Sequence, residues 1–170
     1  MKKLIVLISL VFLLSIIFTA CNKDSANGER TVRNVLTAYY SVNQSDYDYY
    51  KKMTKGATDS EFADFNKSYE TNSKKFEQYL SDKSYNDFYN SRVSYLRIEK
   101  AYKNNVFVEI KNLTITKERE NKKEKTIGYD YKLQLKQTNK DTKKTNIVTK
   151  NGTMTVINKD GHWKVVDIIS

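Results

Sequence analysis

Residues 127–135 read IGYDYKLQL, a stretch in which large apolar side chains alternate with small or polar ones. A period of two is typical of a β-strand that buries one face. Outward from this stretch, the same period predicts three more strands, over 106–115, 147–157 and 163–169. A change of phase in the first of them predicts a bulge near residues 111–112. The sequence NKDG at 158–161 predicts a tight turn before the last strand.

Upstream of the strands, apolar residues recur every three or four positions, which is the spacing of an amphipathic helix. The first helix is predicted to begin at Glu29. A second is predicted to be capped by Ser45 and Asp46, because their side-chain oxygens can accept hydrogen bonds from free backbone amides. Further helical segments are predicted over 59–80, 84–89 and 95–102, with an edge strand as the alternative for the last.

Helices followed by strands with short connections predict an α+β fold, in which N-terminal helices pack on a curved four-stranded antiparallel sheet. No internal repeat and no long linker interrupts the pattern. Residues 31–170 are therefore predicted to form a single domain, a size that can bury one hydrophobic core.

The N-terminus has the three regions of a secretory signal peptide. Lys2 and Lys3 precede an apolar run over 4–18, and small residues follow before Cys21. The run is shorter than the roughly 20 residues of a membrane-spanning helix. Residues 1–20 are predicted to be a signal peptide, with an uncleaved signal anchor as the alternative.

The residues around the cleavage site, Phe18-Thr19-Ala20-Cys21, resemble the lipobox of bacterial lipoproteins, with phenylalanine where leucine is usual. The resemblance implies that Cys21 becomes the first residue and carries a diacylglycerol, with palmitate-type chains that give stable anchoring. It further implies a lipid-anchored protein on the extracytoplasmic side of the cell membrane, which would be its first partner. Residues 21–30 would then be a polar tether.

Two segments carry a second resemblance. These are residues 42–47, at the turn after the first helix, and the terminal hairpin 159–166 with its sequence KDGHWKVV. In this order they resemble the nuclear transport factor 2-like superfamily, a cone in which a curved sheet wraps around helices. Members include isomerases, dehydratases, transport factors and exported domains, so the resemblance implies a pocket without assigning its use. A cystatin-like domain is the alternative.

The composition argues against several classes of site. With one cysteine and one histidine, His162, the chain has no disulfide framework and no set of zinc or iron ligands. The P-loop, the dinucleotide fingerprint and the HExxH motif are absent, so neither a cofactor nor a metal is expected. His162 is predicted to face solvent. Asp46 is considered as a proton-transfer acid, although its position favours a helix cap.

The net charge of +10 comes from lysine pairs scattered along the chain, which are typical of a solvated surface. No nucleic acid is expected, since no readout motif accompanies the charge. An attraction to an anionic envelope surface is the other interpretation.

Thirteen tyrosines stand out in the composition, and aromatic walls with hydroxyl tips suit ring-shaped ligands. Five aromatic residues are candidates to line the pocket, with an ordinary core as the alternative: Tyr39, Tyr40, Tyr129, Tyr131 and Trp163. The favoured hypothesis is a non-catalytic, lipid-anchored binding or assembly module. The alternatives are a small-molecule carrier or proton-transfer enzyme that uses the pocket, and a component of an envelope transfer or secretion complex with an envelope protein as partner.

Overall fold

The computed structural model describes residues 24–54 and 59–169, with the backbone alone for 59–65, 168 and 169. The predicted signal peptide and Cys21 lie outside the described residues. The helices are α1 (24–40), α2 (Gln44–Thr54), α3 (Asp59–Glu77), α4 (Asp82–Asn90) and α5 (Val93–Lys103). The strands are β1 (Val106–Asn121), β2 (Thr126–Asn139), β3 (Thr145–Lys159) and β4 (His162–Ile169).

The predicted α+β class is confirmed for the described residues. The four strands form one open antiparallel sheet in the order β1-β2-β3-β4, with the helices packed against it. The predicted bulge is present as a register shift between Ile110 and Asn112. β1 also continues beyond its predicted end at 115 to Asn121, because it pairs there with the beginning of β2. No helix of the described segments is both long and apolar enough to cross a bilayer.

The core lies between α1 and the inner face of the sheet. Along β2, alternate side chains at 127, 129, 131, 133 and 135 are buried, as the period of two predicts. Val32, Val35 and Leu36 of α1 pack into the same cluster. Their spacing of three and four residues places them on one helix face, and this face covers the sheet.

The first helix begins five residues earlier than the hydrophobic pattern predicts. The hydroxyl of Tyr129 donates a hydrogen bond of 2.7 Å to the carbonyl oxygen of Ser25. Gly28 is buried against the same ring, and a Cβ atom at this position would lie 2.7 Å from the Tyr129 hydroxyl. Residues 24–30, predicted to be tether, are therefore part of the folded domain, which extends to residue 24.

The cap of α2 lies two residues before its predicted position. The Asn43 side-chain oxygen accepts hydrogen bonds from the amides of Ser45 (2.8 Å) and Asp46 (3.3 Å). The Asp46 carboxylate in turn accepts one from the Asn43 amide at 2.9 Å. This reciprocal arrangement is a capping box, in which Asp46 is the third helical residue and Asn43 is the cap.

Both edge strands are partly covered by connections between helices. Val42, after α1, exchanges two backbone hydrogen bonds of 2.9 Å with Val108 of β1. At the other edge, Val165 of β4 accepts a bond from Ser81 (2.8 Å) and donates one to Tyr79 (2.7 Å). These bridges satisfy part of the hydrogen-bonding capacity that an edge strand would otherwise expose.

Candidate functional site: a cavity between α1, α4 and the sheet

A cavity of about 380 Å³ lies between α1, α4 and strands β2 to β4. This volume is within the range of small-molecule sites. Its inner wall is mainly aromatic and aliphatic: Val35, Tyr39, Tyr40, Phe88, Tyr131 and Met154. Its polar lining residues include Lys83, Ser84, Asp87, Ser91 and Asp167.

The inner face of the sheet next to Tyr131 includes a residue without a side chain. Gly152 of β3 is the cross-strand partner of Tyr131 and shares the inward direction of Met154 and Val156. Because side chains alternate between the two faces, a larger residue at 152 would project toward the helices beside Tyr131. A glycine there leaves that position of the inner face unfilled.

Two phenols, those of Tyr40 and Tyr131, belong to the cavity wall. Burial raises the pKa of Tyr40, and its interaction with Tyr131 raises it further. Burial also raises the pKa of Tyr131, while the interaction with Tyr40 lowers it. Both groups are neutral near pH 7.

The Tyr39 ring is held between other aromatic groups and a cation. It lies edge-on to Tyr40 at 4.8 Å and to Phe88 at 6.3 Å between ring centroids. On another side, the guanidinium carbon of Arg97 is 5.6 Å from the Tyr39 centroid, within the range of a cation–π contact. The last turn of α1 thus presents Tyr39 and Tyr40 to the cavity from a packed support.

Arg97 of α5 anchors the end of α1 through its backbone. Its Nη1 donates to the carbonyl oxygens of Ala38 (2.9 Å) and Ser41 (2.6 Å), which the end of a helix leaves unpaired. Burial lowers the pKa of Arg97 to about 10, and the electrostatic influence of Asp46 and Tyr39 offsets part of this shift. Its Nε and Nη2 are buried without a hydrogen-bond partner.

Arg97 is not among the functional residues predicted from the sequence. A signal was present, because residues 94, 97, 98 and 101 form one stripe at helical spacing and the other three are buried. A charged residue in such a stripe is expected to meet hydrogen-bond acceptors inside the fold.

The five candidate pocket residues are divided between different parts of the sheet. Tyr39, Tyr40 and Tyr131 line the cavity. Tyr129 is buried under the first turns of α1, where it bonds to Ser25. Trp163 is half-buried against the core beside the first helix, since Thr31 donates to its carbonyl oxygen at 3.4 Å. The predicted grouping of Tyr129 and Trp163 with the cavity tyrosines is therefore corrected.

Trp163 lines a second depression, which is formed with Lys122, Ile127 and Gly161. Its indole Nε1 is buried without a hydrogen-bond partner. Strict alternation along β4 would place Trp163 and Asp167 on the same face of the sheet. A register shift beside Val156, between Val165 and Asp167, breaks this alternation, so the two residues do not share a face.

Asp46, the acid considered from sequence, is not hydrogen-bonded to the cavity tyrosines, and neither are the two carboxylates of the cavity lining. Asp46 serves the capping box of α2. Asp87 lies on exposed α4 surface, 3.4 Å from the ammonium of Lys83, and Asp167 is exposed. Among the described side chains, no carboxylate is hydrogen-bonded to Tyr39, Tyr40 or Tyr131. Within the same residues there is no group of His, Cys, Asp and Glu that could hold a metal ion.

The comparison with known proteins includes a weak structural likeness. No protein-family model matches the chain, and no curated protein matches it. The crystal structure of the intermembrane space region of the chloroplast protein ARC6 is 8% identical in sequence and has a TM-score of 0.37. The likeness covers 58% of this chain and 78% of that one. A score this low carries no argument about family or function.

Proposed function

We propose that this protein is a lipid-anchored, extracytoplasmic binding module without catalytic activity, and that its cavity takes a small ligand. The main support for this proposal is the cavity of about 380 Å³, whose inner wall is made of aromatic rings, aliphatic groups and neutral phenols. A nuclear transport factor 2-like domain is the proposed fold family, since its cone would place a pocket between helices and sheet. A cystatin-like domain is the alternative.

Binding is favoured over proton transfer by the arrangement of acids and phenols. A proton-transfer site needs a carboxylate within hydrogen-bond reach of the substrate, with a pKa raised by burial. Asp87 instead lies near Lys83 at the exposed surface of α4. Burial raises the pKa values of the Tyr40 and Tyr131 phenols, which suits donation of a hydrogen bond rather than release of a proton.

The wall also indicates the chemistry of the ligand. Its inner part offers apolar contact and the neutral phenols of Tyr40 and Tyr131, so it suits an uncharged ring or aliphatic body with one acceptor oxygen. Bringing a charged group there would be costly, because no described ionic partner lines the inner wall. Hydroxyl or amine groups of the ligand would lie toward Ser84 and Asp87.

The cavity is tested with N-phenyl-1-naphthylamine, an uncharged apolar probe that fluoresces on leaving water. Val93→Trp adds bulk at a half-buried lining position, and Val148→Trp adds the same bulk at a half-buried position outside this lining. We expect the first variant to weaken probe binding about tenfold or more and the second to change it less than about twofold. Equal binding by wild type and both variants would contradict the assignment of this cavity.

The anchor is tested separately. Cys21→Ala should release the protein from the membrane fraction, and the mature wild-type N-terminus should carry the mass of its acyl chains. A variant that stays in the membrane, together with an unmodified wild-type cysteine, would overturn the lipoprotein assignment without affecting the cavity.

A further inference from the structure

The two ends of the sheet differ in their relation to the N-terminus. Residue 24 lies beside the turns that join β1 to β2 and β3 to β4, since Asp24, Lys122 and Gly161 line one depression. We call this the entry end. β2 then runs from Thr126 to Asn139, about 43 Å at roughly 3.3 Å per residue. The opposite, distal end comprises residues 99–109 and 136–144.

The distal end is one connected surface. The amide of Lys140, in the β2–β3 turn, donates to the carbonyl oxygen of Asn105 at 2.9 Å. The Asn105 side chain donates to Asp141 at 2.6 Å, and the Lys140 ammonium lies 5.2 Å from the centre of the Tyr47 ring. The turn is therefore fastened to the junction of α5 and β1.

The two ends carry the same number of cations and different numbers of acids. At the entry end, residues 24, 117–125 and 158–162 include six lysines or arginines and five carboxylates. The two distal segments include six lysines and three carboxylates. The distal end therefore has an excess of three positive charges, whereas the entry end is almost balanced.

The distal carboxylates are already engaged. Glu99 is 2.8 Å from Lys103, and Glu109 is 2.7 Å from Lys136. Asp141 accepts the bond from Asn105. On neighbouring α2, Asp46 and Asp48 accept hydrogen bonds from Asn43 and Gln44. Four distal lysines have no ion pair among the described residues: Lys100, Lys140, Lys143 and Lys144.

An exposed apolar side chain accompanies one of these lysines, Lys100. Leu96 is 53% exposed and lies one helical turn before Lys100 on α5. Beside it, half-buried Tyr95 and Tyr102 stack on Tyr50, with centroid distances of 5.5 and 4.6 Å. Aromatic side chains are enriched in protein interfaces, and the fully buried centre of an interface is more apolar than the surrounding surface.

We propose that the distal basic surface, formed by Leu96, Lys100, Lys140, Lys143 and Lys144, docks an acidic polypeptide segment that carries an apolar residue. The excess of unpaired lysines supplies the charge complementarity, and Leu96 supplies an apolar contact. The choice of a polypeptide over the host bilayer rests on the proposed function, because an anchor at Cys21 holds the entry end near the membrane and turns the distal end away from it.

The proposal is tested with the full-length chain in zwitterionic detergent and a fluorescent glutamate peptide with a central leucine, by anisotropy at low ionic strength. Lys100→Gln/Lys143→Gln/Lys144→Gln should weaken peptide binding about tenfold or more, at roughly threefold for each charge. The matched control, Lys122→Gln/Lys123→Gln/Lys125→Gln, has the same net charge and changes the entry end, so it should weaken binding less than about twofold. Leu96→Ser, which leaves the charge unchanged, should also weaken binding, by about threefold.

Equal losses in the two triple variants would show that net charge alone drives binding and would overturn the proposal. Binding to phosphatidylglycerol vesicles that depends on the three distal lysines, without peptide binding, would also overturn it and would identify a lipid surface as the occupant. Probe binding in the cavity and membrane release of Cys21→Ala are separate readouts, and neither should respond to the distal substitutions.

Discussion

Gly28→Ala is expected to destabilise the protein, although the same change stabilises an ordinary helix by about 1 kcal/mol. The new Cβ would lie 2.7 Å from the Tyr129 hydroxyl and 3.3 Å from both Cε2 of Tyr129 and Cγ2 of Val156. Overpacking of this kind costs about 1–3 kcal/mol. Displacing the hydroxyl also weakens its bond to Ser25, at about 1 kcal/mol. We therefore expect a net loss of about 1–2 kcal/mol in urea denaturation followed by circular dichroism.

A double-mutant cycle isolates the cause. Tyr129→Phe removes the hydroxyl, so Gly28→Ala in that background should be neutral or stabilising by up to about 1 kcal/mol. Ala26→Gly, on the exposed side of the same helical turn, calibrates helix propensity and should cost at most about 1 kcal/mol. A gain of stability from Gly28→Ala in the wild-type background would refute the packing of α1 on β2 at this turn.

Four further outcomes are expected. Arg97→Ala should cost about 2–4 kcal/mol in denaturant melts, because it leaves the carbonyl oxygens at the end of α1 without their donor. Tyr47→Phe should cost about 1–2 kcal/mol in the same assay, since the one proton of this hydroxyl is shared between the carbonyl oxygens of residues 101 and 106, both at 2.9 Å. Trp163→Ala should cost about 2 kcal/mol, less than for a fully buried tryptophan, and a loss below about 1 kcal/mol would place the ring on the surface. Burial raises the pKa of Tyr95 from 10.0 to about 12, so its contribution to stability is complete below pH 10 and is lost as the pH rises through 12; melts across that range, with phenolate absorbance, test the sign.

The sequence predicts the sheet well because hydrophobic alternation reports burial directly. It underestimates how far the strands extend. β1 continues over 117–121 with charged, exposed side chains, and there the ladder with β2 maintains the strand. Backbone pairing leaves no mark on the hydrophobic pattern, so the predicted strand ended where the apolar residues ended.

The start of α1 could not be predicted for a similar reason. Residues 24–30 are polar or small and have the composition of a tether. What holds them is a backbone carbonyl at Ser25 and the missing side chain of Gly28, both matched to Tyr129 more than one hundred residues later. Periodicity within a helix detects contacts made by side chains, and this contact is made by backbone.

The candidate site shows a limit of arguments based on strand parity. Tyr129 and Tyr131 share the inner face of β2, and parity predicts this correctly. Parity does not say what covers each position along the strand. Tyr129 meets the first turns of α1, whereas Tyr131 meets its last turn, two residues farther along β2. Only the packing of α1 separates a residue of the cavity wall from one that anchors the helix.

The distribution of charge over the surface is likewise not predictable from the sequence alone. The lysine pairs look evenly scattered in the sequence, and counting cations would not distinguish the two ends of the sheet, which have six each. The ends differ in their carboxylates and in which of these are already paired with a neighbour. An excess of charge that is available to a partner is therefore a property of the folded surface, because ion pairing within the fold removes part of the charge that the sequence displays.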